Sequence, residues 1–146
     1  MDIRPLKQDF YNQLVVGKPQ VLQKDRGYGI VTITINTLTY AIPLRSNLNH
    51  KNGFKTIAIN IRGNISWNGL DYSKALIVQP DNIESVSFKT KDQKEFDKIQ
   101  ENKDKIKSEF EEYVSNYIES VRTGKSTTDN RFKFSTLQYF HSELGI

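Results

Sequence analysis

The hydrophobic period of this chain changes once, near residue 90, and that change sets what it can fold into. Before it, Ile30, Thr32 and Thr34 alternate with Val31, Ile33 and Ile35, Leu38 to Ile42 continues in the same manner, and Phe54 to Ile61 places Ile57, Ile59 and Ile61 on one face. Alternation in steps of two is the mark of half-buried strands. After it, Phe96, Ile99, Ile106, Phe110, Tyr113, Tyr117 and Val121 fall at steps of three, four or seven, the spacing of one stripe along an α-helix. Strands grouped in one half and helix in the other predict an α+β fold. The expected form is a compact, strongly bent antiparallel β-sheet or barrel core, one long packed helix and a short C-terminal helix. At 146 residues, 36% of them apolar, residues 1–146 suit a single domain.

Local signals refine this outline. Residues 2–6 read as extended and Phe10–Leu14 as a helical turn, broken by Gly17-Lys18-Pro19. Asn36-Thr37 is placed to turn one strand into the next, which Pro43 is expected to end. Arg45 to Gly53 (RSNLNHKNG) is a polar loop rich in turn formers, Asn64–Trp67 extends the sheet, Asn68-Gly69 reads as a turn, and Lys74–Val78 as a short buried strand. Thr90 and Gln93 have capping-box spacing at the start of the long helix, and Gly124 suits its C-terminal cap. Arg131–Phe134 reads as extended, and Ser135 with Gln138 repeats the capping-box spacing before a closing helix over 136–144.

Charge is distributed unevenly over these parts. The 45 residues from Arg26 to Leu70 contain no Asp or Glu, yet include Arg26, Arg45, His50, Lys51, Lys55 and Arg62. Residues 1–62 carry nine Lys/Arg against three Asp/Glu, whereas residues 90–146 carry ten against eleven. A basic face on the β-rich part predicts a polyanionic partner, nucleic acid foremost. The absence of cysteine excludes disulfides, thiolate metal sites and thiol catalysis. His50 and His141 are too few for a histidine metal site, so no metal or other cofactor is expected. The N-terminal residues lack an apolar signal core and no run approaches a membrane span, which predicts a cytoplasmic protein with no membrane partner.

A basic, hydroxyl-bearing loop suits RNA cleavage in which the RNA supplies its own 2′-hydroxyl as nucleophile. The protein then aligns that hydroxyl, removes its proton and stabilises charge on the phosphorane oxygens. Arg45 can hold phosphate oxygens bidentately, Ser46 can hydrogen-bond a phosphate oxygen or the 2′-hydroxyl, and His50 offers an imidazole for proton transfer. Asn47, Lys51 and Lys55 belong to the same surface, Tyr28 offers a stacking face for a base, and Lys74, Arg131 and Lys133 extend the positive charge. Trp67 reads as a base platform or a core lid, and His141 as a packed residue. Arg26-Gly27-Tyr28-Gly29 lacks the spacing and following helix of a dinucleotide loop.

Four segments together, R-G-Y-G-I-V (26–31), I-P-L-R-S (42–46), G-L-D-Y-S-K-A (69–75) and R-F-K-F-S-T-L-Q-Y-F-H (131–141), resemble the toxins of type III toxin–antitoxin systems, in particular the TenpN group related to ToxN and AbiQ. The resemblance spans most of the chain in order. It implies a ToxN-like bent sheet with packed helices and a metal-independent endoribonuclease that leaves a 2′,3′-cyclic phosphate. It also implies a repeated pseudoknot antitoxin RNA that inhibits the toxin in a cyclic RNA–protein assembly, cellular or phage RNA as substrate, and a role in phage defence. ToxN-like members read Thr-Ser-x-Lys after the Pro-Leu pair, where this chain has Arg45-Ser46-Asn47-Leu48. Ser46 matches, Arg45 replaces the threonine and Leu48 the lysine. Proton transfer then falls to His50 with Lys51 behind it, while Arg26 or Lys24 answers to the lysine before the first core strand and acts as an electrostatic stabiliser. The alternative is a noncatalytic RNA-binding module.

Overall fold

In a computed structural model, residues 1–23, 29–90 and 92–146 are described. They form an α+β structure with an antiparallel sheet of six strands: β1 (Arg4–Pro5), β2 (Gly29–Ile35), β3 (Leu38–Arg45), β4 (Gly53–Ile61), β5 (Asn64–Asp71) and β6 (Leu76–Val78). The helices are α1 (Gln8–Leu14), α2 (Gln93–Glu101), α3 (Lys103–Arg122) and α4 (His141–Leu144), with 3-10 turns at Tyr72–Lys74, Pro80–Asn82 and Thr136–Tyr139. The strand order is β1-β2-β3-β5-β4, and β6 pairs with β3 away from that path. The sheet bends strongly but stays open and does not close into a barrel.

The bend is built into β3. One edge of this strand pairs with β2 from Leu38 to Pro43. The other edge is shared, because Thr39–Ala41 pairs with β6 and Leu44–Arg45 with the end of β5. The chain leaves β5, makes the 3-10 turn at 72–74 and re-enters beside the same strand as β6. Pro43 therefore does not end β3. It sits inside the strand opposite Ile30, and the strand continues to Arg45.

Both hairpins turn on two left-handed residues, Asn36 and Thr37 (φ 49° and 71°) between β2 and β3, and Arg62 and Gly63 (φ 53° and 85°) between β4 and β5. This handedness matches the twist of the strands it joins. The turn expected at Asn68-Gly69 is absent, since β5 runs through both residues to Asp71. Gly69 is needed there for a different reason: a Cβ would strike the Phe54 carbonyl and lie 2.7 Å from Leu48. Ile59 and Ile61 do not face the core, because the register shifts between Lys55 and Ala58 and the outer part of the hairpin projects into solvent.

The single long helix is two. α2 starts at Asp92, whose side chain accepts from Lys94 N–H at 2.9 Å, so Asp92 and not Thr90 is the cap. Asn102 separates α2 from α3, with φ −114° and ψ 18° and its side-chain amide donating to the Lys98 carbonyl at 2.8 Å. Such local bonding competes with the helical ladder. Ile99 and Ile106 are both fully buried across the break, so the apolar stripe continues while the backbone does not. At the other end Gly124 caps as expected: its N–H reaches the Val121 carbonyl and Lys125 N–H the Ser120 carbonyl, closing a Schellman motif.

α3 buries Ile106, Phe110, Tyr113 and Tyr117. Phe110 meets Tyr40 edge-on at 5.2 Å and Tyr72 at 5.7 Å, and Tyr113 and Tyr117 enclose Phe132 from the C-terminal segment. His141 packs here as expected, 2.6 Å from the Tyr117 hydroxyl. Residues 131–134 are turns and not the expected extended segment, and the closing helix is split into the 3-10 turn at 136–139 and α4. Thr136 Oγ1 donates to the carbonyls of Ser73 and Ala75, which ties this segment to the turn after β5. No helix among the described residues is long and apolar enough to cross a membrane.

Candidate functional site

The point where β3, β5 and the 72–74 turn meet holds a buried carboxylate. Asp71 is the first acidic residue after the acid-free stretch and its side chain is fully buried. As N-cap of the 3-10 turn, its Oδ1 accepts from Ser73 N–H at 3.0 Å and Ser73 Oγ–H at 2.6 Å. Its Oδ2 accepts from Arg45 Nη1 at 2.9 Å and lies 3.2 Å from His50 Nε2. Burial alone would raise the Asp71 pKa, but the hydrogen bonds from His50, Ser73 and Arg45 outweigh it and hold the carboxyl below its usual value. The carboxylate is thus anionic and saturated, and it spends its charge on holding Arg45 and His50.

Arg45 is clamped twice, since its Nε also donates to the Ser46 carbonyl at 3.2 Å. His50 is clamped on both ring nitrogens. Asn52 N–H donates to Nδ1 at 3.1 Å, which assigns the proton to Nε2 and its donation to Asp71. The loop between them is pinned by Leu48, which is 1% exposed and whose N–H donates to the Trp67 carbonyl at 2.7 Å. Leu48 therefore serves as a plug under the loop. Ser46 and Asn47 stand exposed beside it, Asn47 in a left-handed conformation with φ 56°.

Lys74 is half-buried next to this group. Its Nζ donates to the Phe134 carbonyl at 3.0 Å and to Gln20 Oε1 at 3.3 Å. Burial lowers its pKa from the ordinary 10.5; Asp71 pulls it back up and Arg45 pushes it down. Phe134 itself is 55% exposed, with Lys133 Nζ 5.0 Å from its ring centre. Arg131 donates from Nε to Asn52 Oδ1 at 3.2 Å, and Asn52 Nδ2 reaches the Arg131 carbonyl at 3.4 Å. These bonds dock the C-terminal segment against the 45–53 loop.

Of the residues singled out from the sequence, the fold brings Arg45, Ser46, Asn47, His50, Lys51, Lys74, Arg131 and Lys133 onto one region. Lys55 is held elsewhere: its Nζ lies 5.8 Å from the Trp67 ring, which also receives Lys98 at 5.7 Å, and Trp67 is half-buried between the two lysines. Lys24, Arg26 and Tyr28 lie outside the described residues. Asp71, Ser73, Asn52 and Phe134 were not singled out. The signal for Asp71 was present in Asp71-Tyr72-Ser73, where a carboxylate two residues before a serine at the end of a strand has the spacing of a capping turn. Among the described residues no three His, Asp or Glu side chains converge as metal ligands would. Compared with known proteins, the chain matches no family model, no curated protein and no solved structure.

Proposed function

We propose that this protein is an endoribonuclease of the type III toxin kind, cutting single-stranded RNA through its own 2′-hydroxyl to leave a 2′,3′-cyclic phosphate and held in check by an antitoxin RNA of pseudoknot repeats. The observation that carries the reading is the Asp71 network, which anchors a guanidinium and an imidazole beside an exposed serine, a half-buried lysine of lowered pKa and an exposed phenylalanine. Each has a task in such a transesterification. Arg45, oriented by Asp71, offers its remaining N–H groups to the nonbridging oxygens as charge grows on them. Ser46 donates to the same phosphate or to the 2′-hydroxyl. Phe134 gives the flanking base a stacking face, and Lys133 and Arg131 hold the backbone.

The group that removes the 2′-hydroxyl proton needs a lone pair. That of His50 Nδ1 is taken by Asn52 N–H and its Nε2–H by Asp71, so His50 suits positioning work. Lys74 suits the base. In its neutral form the amine has two N–H donors, the Phe134 carbonyl and Gln20 Oε1 accept them, and one lone pair is left over. Its lowered pKa raises the neutral fraction near physiological pH.

Incubation of the purified protein with a long single-stranded RNA in EDTA, followed by mapping of the new ends, tests the proposal. Discrete cuts carrying 2′,3′-cyclic phosphates, lost in Ser46→Ala and Lys74→Arg, are the expected result. RNA that is bound and left intact would make the protein a noncatalytic RNA-binding module. Cleavage unaffected in Lys74→Arg, with loss only in His50→Ala, would return proton transfer to His50.

A further inference from the structure

Beside the Asp71 network, and sharing Asn52 with it, lies a polar cleft of about 200 Å³ lined by Lys51, Asn52, Gly53, Tyr72, Glu109, Glu112, Tyr113 and Arg131. Its two sides differ in sign. α3 contributes the carboxylates of Glu109 and Glu112, while the 51–53 loop and the C-terminal segment contribute the cations of Lys51 and Arg131. Among the described residues no ion pair joins these four across the opening. Two features keep them apart. Tyr72 O–H donates to Glu109 Oε1 at 2.9 Å and fixes that carboxylate against the buried aromatic cluster. Arg131 is held by Asn52 on one side, and its guanidinium lies 5.1 Å from the Phe132 ring and 5.8 Å from that of Tyr113. The cleft thus offers fixed acceptors on one wall and fixed donors on the other.

We infer that this cleft reads a guanine base in the RNA, next to the phosphate held by Arg45, an inference that rests on the ribonuclease reading above. Pockets for drug-sized ligands run to about 300–1,000 Å³, so this one suits a single heterocycle. Guanine alone among the four bases presents two neighbouring donors, N1–H and the N2 amino group, on one edge, and two acceptors, O6 and N7, on another. The donor pair matches the Glu112 carboxylate and the free oxygen of Glu109. The acceptor pair matches Lys51 and Arg131. Adenine and cytosine each offer a single amino group with an acceptor beside it, which would set a ring nitrogen against a carboxylate; uracil offers one imino proton between two carbonyls. Asn52 links the two sites, since its N–H orients His50 and its side chain orients Arg131.

Heptamers of 2′-O-methyl uridine with G, A, C, U or inosine at the centre test this without cleavage, because the nucleophile is blocked. With the full-length protein, the G heptamer should bind on the order of tenfold tighter than the U heptamer. Inosine, which lacks the N2 amino group, should lose most of that advantage, and Glu112→Gln should bring the G heptamer down to the level of the A heptamer. Glu112 is exposed, so its replacement leaves the core untouched. Equal affinities for the five heptamers, or a guanine preference that survives Glu112→Gln, would overturn the inference. Cleavage of unmodified RNA at junctions without guanine would do the same while leaving the ribonuclease reading intact. Guanine-selective binding by a protein that cuts nothing would support the cleft and remove the ribonuclease.

Discussion

Asp71 does several structural jobs from one position. It caps a turn, neutralises Arg45 and orients His50, all from a site closed to water. Removing one partner of such a buried charge pair costs about 3–5 kcal/mol, because the other is left uncompensated. Asp71→Ala should lose that much in urea unfolding at pH 7, and RNA cleavage with it. The pH dependence follows from its lowered pKa. As pH falls toward 3.8, the unfolded chain takes up the Asp71 proton before the folded chain does. The network thus stabilises the fold fully above that value and less and less as pH drops through the folded pKa. Denaturation series at pH 7, 5 and 3 should show Asp71→Asn losing less stability between pH 5 and 3 than the parent. Lys74 acts in the other direction. With a pKa below 10.5, its neutral form gains population as pH rises, so the cleavage rate should climb through a pKa under that value, and Lys74→Arg should remove the limb.

At the scale of elements, the two hairpin turns carry different strain. Gly63 adopts its left-handed conformation freely, but Thr37 holds φ 71° with a β-branched side chain. L-residues pay about 1–2 kcal/mol for that region. Thr37→Gly, which creates the favoured Asn-Gly pair, should stabilise the protein by about 1 kcal/mol in thermal or chemical unfolding. Gly53 has no such freedom to lose, since a Cβ there would meet the Leu70 carbonyl and lie 2.9 Å from Leu48. Gly53→Ala should displace Leu48 and with it the 45–53 loop, lowering both stability and RNA binding. Turn residues and strand alternation made the β2–β3 hairpin and α1 readable in advance. The break at Asn102 was not readable, because Ile99 and Ile106 keep helical spacing across it and the competing side-chain bond becomes visible only in three dimensions.

Over the whole molecule, the acid-free stretch leaves the solvent side of the site positive, since Asp71 beneath it is already saturated. Binding of single-stranded RNA should therefore weaken steeply with salt. Lys133→Ala should reduce the slope of log affinity against log salt by about 0.7, with no change in the fold. Period, charge asymmetry and turn chemistry were enough to determine an α+β chain with a bent sheet, a basic β-rich half and a polar loop within 45–53, because each is a property of neighbours along the chain. They also identified Arg45, Ser46, His50 and Lys74 as residues of interest. Only the tertiary structure decided that Asp71 anchors Arg45 and His50, that Leu48 is a plug, that Lys55 belongs to Trp67, and that the segment at 131–134 docks Arg131 on the loop and the Phe134 carbonyl on Lys74. Those outcomes depend on pairs far apart in sequence, such as Arg45 with Asp71 and Asn52 with Arg131, and their energies arise from burial and hydrogen-bond geometry that no local pattern encodes.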